Sequence, residues 1–239
     1  MLTQGNQKLG GRLIWSFSLP SARPDICIGM SSLCQQHCYA RRLENIRPAM
    51  LARYEANYQL SLSPIFVRRV RAFLVAHDIV VVRLHVGGDF YSRDYARKWL
   101  RVMKRSPQVR FYFYTRAWRD EAMRTILERM ASLPNCRAWY SCDRETGIPS
   151  NITPGVRLAW LSVTPEDHPP AEANLVFRVR RLRSQQATHL NGVRVCPVED
   201  GVLHNQQVTC ERCQICWQPL GEFSSQRVSL PLLPPEEGR

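Results

Sequence analysis

The sequence predicts an α/β fold, an incomplete (βα)6-type barrel followed by a cysteine-rich extension. Apolar, β-branched segments alternate with amphipathic helical segments in the first half of the chain, which is typical of βαβ units around a parallel sheet. Helical segments become sparse in the second half, so we expect about six strands instead of the eight of a complete barrel. Four cysteines follow the last predicted strand, which places them in an extension.

Six segments have the composition expected of strands. They are Arg12–Leu19, Asp78–Gly88, Val109–Thr115, Cys136–Cys142, Val156–Val163 and Leu175–Arg181. The second contains a near-continuous run of valine, isoleucine and leucine, which indicates a strand buried on both faces. The first and third are rich in aromatic residues, which are also frequent in strands.

Helices are predicted between the early strands. A long helical region after the first strand is interrupted at Ser63-Pro64, which we interpret as an N-cap followed by proline in the first turn. Ser92 is positioned to cap a second helix. Apolar stripes at helical spacing are formed by Tyr95, Trp99, Val102 and Met103, and by Met123, Ile126, Leu127 and Met130. We assign residues 1–185 to the partial barrel and residues 186–239 to the extension, whose end is expected to be mobile.

The composition indicates an anionic partner. The net charge is +13 and the isoelectric point is about 9.8, and nucleic acid is the commonest partner of so basic a protein. An arginine-rich genomic bias or a solubility requirement is the alternative explanation. No apolar run approaches the ~18 residues of a membrane span, and the N-terminus lacks a signal-peptide core, so we expect a cytoplasmic protein.

Three cysteines are grouped in the segment CIGMSSLCQQHCYA after the first strand. Cys27, Cys34 and Cys38 can hold an iron–sulfur cluster and leave one iron without a protein ligand, because thiolates are the donors that such clusters prefer. Zinc with His37 or water as the fourth ligand is an alternative, as is a set of buried free thiols. In a reducing compartment, nine cysteines are not expected to form disulfides.

A second group of cysteines lies near the C-terminus. Cys196 precedes a proline, and Cys210, Cys213 and Cys216 form a CxxCxxC motif. This arrangement resembles the ligands of a bacterial ferredoxin cluster, in which a remote cysteine completes a [4Fe-4S] site. Zinc is the alternative metal at this C-terminal site. His204 lies in the intervening loop and could replace one of the cysteine ligands.

The predicted topology brings several of these features to one edge of the sheet. In barrels of parallel strands, functional residues gather at the carboxyl ends of the strands. The loop Cys27–Cys38 follows the first strand, and Gly87-Gly88-Asp89 follows the second. Arg116 follows the third strand, and Cys142-Asp143-Arg144 follows the fourth. Cysteines and glycines are therefore expected to face one opening.

The three-cysteine loop and the Gly-Gly-acid motif together resemble the radical S-adenosylmethionine superfamily. The resemblance implies a [4Fe-4S] cluster on Cys27, Cys34 and Cys38 and S-adenosylmethionine on its open iron. It also implies that Tyr39 packs near the adenine. The residues assigned to the methionine-binding edge are Gly87, Gly88 and Asp89, with Arg116 available for the carboxylate. The spacing of six and then three residues between cysteines departs from the usual three and two, which leaves cofactor cleavage unassigned.

The chain is also similar to the phage gene product 88 family. The segments that carry this similarity are CIGMSSLCQQHCYA, HVGGDFYSRDYARKWL, FYFYTRAW and the C-terminal cysteines, and it extends roughly from Arg12 to Trp217. The resemblance implies a phage or mobile-element origin and a radical S-adenosylmethionine-like fold. It does not imply a particular reaction.

Two classes of function therefore remain open. The first is an enzyme with two [4Fe-4S] clusters that uses S-adenosylmethionine, receives electrons from a reductant protein and acts on nucleic acid or another anionic substrate. Candidate catalytic residues are Cys142, Asp143 and Arg144. The second is a non-catalytic, regulatory nucleic-acid-binding protein in which clusters or zinc stabilise the fold and arginines contact phosphates.

Overall fold

A seven-stranded sheet forms the centre of the computed structural model, which describes residues 1–6, 8–183, 187–200 and 208–218. The strands lie side by side in chain order. They are β1 (Thr3–Asn6), β2 (Gly10–Phe17), β3 (Val81–Leu84), β4 (Arg110–Thr115), β5 (Cys136–Cys142), β6 (Val156–Ser162) and β7 (Leu175–Arg178). β1 is antiparallel to β2, and every pairing from β2 to β7 is parallel.

The α-helices of the described residues lie in the connections between strands and after β7. They are α1 (Ser32–Gln36), α2 (Tyr39–Ile46), α3 (Pro48–Leu62), α4 (Phe66–Ala76), α5 (Arg93–Lys104), α6 (Glu121–Ala131), α7 (Pro197–Asp200) and α8 (Cys210–Cys213). A short hairpin, β8 (His189–Leu190) and β9 (Val193–Arg194), follows β7. None of the helices in the described ranges has the length and apolar character needed to cross a bilayer.

Helices α4, α5 and α6 cover one face of the sheet, which we call the helix face. Sequential parallel strands require crossovers of one hand, and these place successive helices on the same side. Phe17 of β2 packs edge-to-face against Phe66 of α4 and Trp99 of α5, with ring centroids 5.7 and 5.2 Å away. The predicted apolar stripes of α5 and α6 are buried in this core, and Ser92 caps α5 by accepting from the Tyr95 N–H.

The sequence-based predictions are wrong or incomplete at two places, the start of α4 and the short strand β1. Ser63 ends α3 and Ile65 is the N-cap of α4, so Pro64 lies between the helices and the predicted cap is wrong. The Ser63 N–H bonds back to the Leu60 carbonyl, which keeps Ser63 with the preceding helix. The four-residue β1, which contains Gly5 at a φ of +47°, has too little strand composition to be recognised.

The sheet is open among the described strands, so the predicted barrel is confirmed only as a mostly parallel α/β sheet. β1 occupies the outer edge of β2, and β7 pairs with β6 alone in this sheet. Closure would require β2 to pair with β7. Because the antiparallel β1 already uses the free edge of β2, that pairing is blocked.

The C-terminal cysteine segment covers part of the opposite face, which we call the cysteine face. Cys210 and Trp217 pack with Ile14 and Tyr112, while Cys196 and Ile215 pack in a neighbouring cluster that includes residues of the central strands. These contacts join the predicted extension to the sheet. The boundary predicted at residues 185 and 186, His204 and the tail after residue 218 lie outside the described residues.

Glu211 attaches this segment to the start of β2. Its carboxylate accepts the backbone N–H groups of Arg12 at 2.8 Å and Ile14 at 3.3 Å, and also that of Leu13. Gly10 has a φ of +103°, and a Cβ there would lie 2.3 Å from the Glu211 carboxyl carbon. The glycine therefore permits both the backbone conformation and the approach of the carboxylate.

We predict that Glu211→Ala lowers the free energy of unfolding by about 1–3 kcal/mol, because several backbone donors lose a charged acceptor. Denaturant titration of the two proteins measures this difference. Glu172→Ala is the matched control, since Glu172 is exposed and its loss is expected to change stability by less than about 0.5 kcal/mol. Equal stability of both variants would contradict the anchoring role.

Candidate functional site

A cavity of about 1710 Å³ lies at the carboxyl ends of the strands and extends over the cysteine face. Arg83 of β3, Tyr114 of β4 and Phe177 of β7 line it from the sheet. Helices α1, α2 and α3 and loops at the strand ends contribute much of the rest of the wall. The volume exceeds the 300–1,000 Å³ of an ordinary small-molecule site, so the space can take a large ligand.

The three N-terminal cysteines all line this cavity, as the topology predicts. The Ser31 hydroxyl caps α1 by accepting from the Cys34 N–H at 3.0 Å. Cys38 is the N-cap residue of α2, and its Sγ accepts from the Arg41 N–H at 3.5 Å. Cys27 is held by its N–H, which donates to the Arg23 carbonyl at 2.7 Å. Two short helices and a turn therefore position the three thiols.

Burial keeps these thiols protonated. It raises the pKa of Cys27, Cys34 and Cys38 above the ordinary thiol value, and for Cys34 the Arg116 guanidinium partly opposes that effect. A bound metal would reverse this preference, because coordination deprotonates a thiol. In the ranges the structure describes, however, no three His, Cys, Asp or Glu side chains approach closely enough to coordinate one ion.

The Gly-Gly-Asp motif has a structural role at the same edge. A Cβ on Gly87 would lie 2.5 Å from the Ser21 hydroxyl, and one on Gly88, at a φ of +78°, would lie 2.6 Å from the Leu19 Cβ. Both glycines line the cavity, but their missing side chains permit the close approach of residues 19–21. They therefore hold the end of β3 against the end of β2.

Asp89 joins the ends of β3 and β4. Its carboxylate accepts from the Thr115 hydroxyl at 2.6 Å, the Arg116 N–H at 2.8 Å and the Phe90 N–H at 2.7 Å. Burial raises the pKa of Asp89. The predicted acceptor for a ligand ammonium group is thus already occupied by protein donors, although it borders the cavity.

Arg116 lies in the cavity wall and pairs with Asp143, with 2.7 Å between Nη1 and Oδ2. Asp143 also accepts from the Ser31 hydroxyl at 2.5 Å. Burial opposes ionisation of Asp143, but Arg116 and these hydrogen bonds outweigh it and lower the pKa of Asp143. The ion pair fixes the cysteine loop to the end of β5 through Ser31.

The remaining catalytic candidates do not meet in the cavity. Cys142 is buried in the core of the helix face, and burial raises its pKa to about 12. Arg144 is exposed, and neither residue is among the described residues that line the cavity. Tyr39 does line it, is 43% exposed, and donates its hydroxyl to the Val86 carbonyl at 2.8 Å.

The C-terminal cysteines lie behind the cavity wall on the cysteine face. Cys196, Cys213 and Cys216 pack around the same apolar cluster, and Cys210 packs beside it. The Tyr114 hydroxyl donates to Cys216 Sγ at 2.8 Å. Because Tyr114 also lines the cavity, it connects the C-terminal cysteines to the cavity that the N-terminal cysteines line. Sequence reasoning missed Tyr114, since its strand carries other aromatic residues of similar appearance.

Comparison with known proteins decides the family. The family described as Gene product 88 matches residues 1–219, which is most of the chain. The chain belongs to the gene product 88 family. No solved structure matches the sequence.

Two relatives in the gene product 88 family come from mycobacteriophages. The Gene 88 protein of Mycobacterium phage L5 is 24% identical over 230 residues, which cover 89% of this chain and 85% of the relative. The Gene 88 protein of Mycobacterium phage D29 is 25% identical over 178 residues, which cover 67% and 70%. The predicted phage or mobile-element origin agrees with both.

The cavity of this gene product 88 family member is strongly cationic. Its described lining contains ten lysine and arginine side chains and two carboxylates, those of Asp89 and Glu199. The basic residues are Lys8, Arg42, Arg47, Arg53, Arg83, Arg116, Arg178, Arg180, Arg181 and Arg183. Because low-dielectric walls focus the field of such charges, the cavity favours an anionic ligand. The sequence shows the excess charge but not its concentration here.

His85 is a second lining residue that sequence reasoning missed. It is 4% exposed, has a φ of +59°, and its Nε2 lies 2.9 Å from the Tyr95 hydroxyl oxygen. Burial lowers the pKa of His85 to about 3. The folded protein therefore holds the neutral imidazole at pH values where an unfolded chain would be protonated.

We predict that this histidine makes the fold acid-sensitive. As the pH falls below about 6.5, the unfolded state binds a proton that the folded state does not, so stability falls by about 1.4 kcal/mol per pH unit. Urea titrations between pH 7 and pH 4.5 measure the slope. His85→Asn is the control, because asparagine tolerates a positive φ and does not titrate. A slope identical in both proteins would contradict the assignment.

Proposed function

We propose that the protein is an iron–sulfur protein that resembles radical S-adenosylmethionine enzymes and acts on nucleic acid or another anionic substrate. The observation that carries the proposal is the placement of Cys27, Cys34 and Cys38 in the wall of one large, cationic cavity at the carboxyl ends of parallel strands. Sequential parallel strands with helices on one face are also the arrangement expected of a partial barrel that opens at this edge.

The donor chemistry at the N-terminal group fits a cluster. Three thiols without a carboxylate among them are the donors that iron–sulfur clusters require, whereas zinc sites need a fourth ligand. Cys27, Cys34 and Cys38 would hold the cluster, which would supply an electron to S-adenosylmethionine. Tyr39 would then contact the ligand from its exposed position in the wall.

The C-terminal group fits a second metal site with a complete set of ligands. Cys196, Cys210, Cys213 and Cys216 supply four thiols in an apolar environment, the donor set of either a [4Fe-4S] cluster or zinc, and binding would have to draw these described side chains together around one point. The hydrogen bond from Tyr114 to Cys216 would orient one ligand and stabilise its thiolate form.

A second function is favoured by the hydrogen bonds and the ion pair that the protein already makes at the Gly-Gly-Asp edge. Asp89 already accepts three hydrogen bonds from protein donors, and Arg116 is paired with Asp143. If these contacts persist when the protein is loaded, the methionine moiety lacks the partners that the resemblance assigns to it. The protein would then be a non-catalytic, metal-stabilised nucleic-acid-binding protein of a phage.

One experiment separates these functions. The protein is purified without oxygen, its iron and acid-labile sulfide are counted, and S-adenosylmethionine is added after reduction. Two clusters and release of 5′-deoxyadenosine support the enzyme. Two clusters without binding or release support the binding protein. Zinc without iron contradicts the iron–sulfur assignment in both functions.

Single cysteine substitutions assign the two groups. We predict that Cys34→Ala removes about half of the bound iron and that Cys213→Ala removes the other half, because each loses one ligand of a different cluster. Cys136→Ala is the control, since Cys136 is buried in the core of the helix face. Iron content that is unchanged in Cys34→Ala would contradict a cluster on the N-terminal group.

A further inference from the structure

Arg83 is a buried cation on the floor of the cavity. It lies on β3, between Val82 and Leu84, whose side chains point into the core of the helix face. The alternation of a strand therefore directs Arg83 to the cysteine face, where it lines the cavity. Only 7% of the residue is exposed.

The described residues give this guanidinium no carboxylate partner. The ion pairs of the described chain involve other cations, and the Arg83 Nε is buried without a hydrogen-bond acceptor. Its contacts are the Tyr39 hydroxyl, 3.5 Å from Nη2, and the face of the Tyr114 ring, whose centroid is 5.6 Å away. A charged group buried without a carboxylate is costly, so Arg83 is placed to pair either with an anion that enters the cavity or with the C-terminal cysteines, of which Cys210 lies near it.

The surroundings favour a phosphate that belongs to a polymer. Exposed arginines at positions 42, 47, 53 and 180 line the outer part of the same cavity, so positive charge continues from the floor to the surface. A small ligand with a single carboxylate would not require positive charge along the whole length of the cavity. Tyr39, whose ring is exposed, lies beside Arg83, and aromatic rings interleaved with basic groups are typical of surfaces that bind single-stranded nucleic acid.

We infer that Arg83 anchors a backbone phosphate of a single-stranded nucleic acid whose end enters the cavity. The guanidinium would donate to the phosphate oxygens from its terminal nitrogens, which the planar fork of arginine holds in a geometry that lysine lacks. This inference rests on the nucleic-acid partner of the proposed function and assigns the residue that holds it.

The test is the binding of a fluorescein-labelled 12-nucleotide single strand, measured by fluorescence anisotropy at several salt concentrations with the metal-loaded protein. Arg83→Met is expected to weaken binding about tenfold or more and to reduce the salt slope by about one. Arg83→Lys is expected to keep the salt slope but bind several-fold more weakly. Arg101→Met, an exposed substitution on α5, is the control and is expected to change affinity less than twofold.

Each outcome has a defined meaning. Oligonucleotide binding by the wild type that is unchanged in Arg83→Met and Arg83→Lys overturns the inference alone, whereas no binding by the wild type overturns the nucleic-acid partner as well. If Arg83→Met loses iron but binds the oligonucleotide with unchanged affinity, the inference is also overturned. Arg83 is then assigned to the C-terminal cysteines. If Arg83→Met does not fold, wild-type affinity in Arg83→Lys is the overturning result. Competition by inorganic phosphate as strong as by unlabelled oligonucleotide would indicate a free anion instead of a polymer.

Discussion

The cysteine face of the sheet must be covered, and the rest of the structure depends on how this is done. Ile14, Val81, Tyr112 and Trp139 present apolar surface there, and exposing it to water would be unfavourable. Helices α4, α5 and α6 pack on the other face, because sequential parallel strands place their crossover helices on one side, and among the described helices of the β2–β3 connection α2 reaches only the cavity. The C-terminal cysteine segment supplies the cover, and the uncovered part is the cavity.

This constraint explains why the C-terminal cysteine group lies behind the wall of the cavity that the N-terminal group lines. The N-terminal group sits at the carboxyl edge because its loop follows β2, and the C-terminal group lies beside it because it covers the adjacent face. Tyr114 contacts both regions, through its hydrogen bond to Cys216 and its position in the cavity wall. The two cysteine groups are therefore linked through one side chain of β4.

The parts of the fold that follow from periodicity were predictable. The six parallel strands and the buried stripes of α5 and α6 depend on apolar spacing, which the sequence displays directly. Strand β1 and the start of α4 depend on short polar segments with weak patterns. The edge pairing of β1 with β2, which keeps the sheet open, is a long-range choice that no local pattern records.

The candidate site was predictable to a similar extent. Parallel topology sufficed to place Cys27 and Gly87 at the same edge. It could not show that Asp89 and Arg116 are bound by protein partners, because those contacts depend on side-chain geometry across different strands. Arg83 was not predicted for the same reason. The sequence shows an arginine within an apolar strand, but only the structure shows that no carboxylate of the described residues pairs with it.

The most direct test of two iron sites around one cavity is anomalous diffraction at the iron edge from crystals grown without oxygen. We predict one iron peak beside Cys27, Cys34 and Cys38 and a second beside the C-terminal cysteines, both bordering the cavity. A zinc signal at the C-terminal group would leave the first assignment intact. The absence of iron beside Cys34, in crystals of protein reconstituted with iron and sulfide, would contradict the central claim.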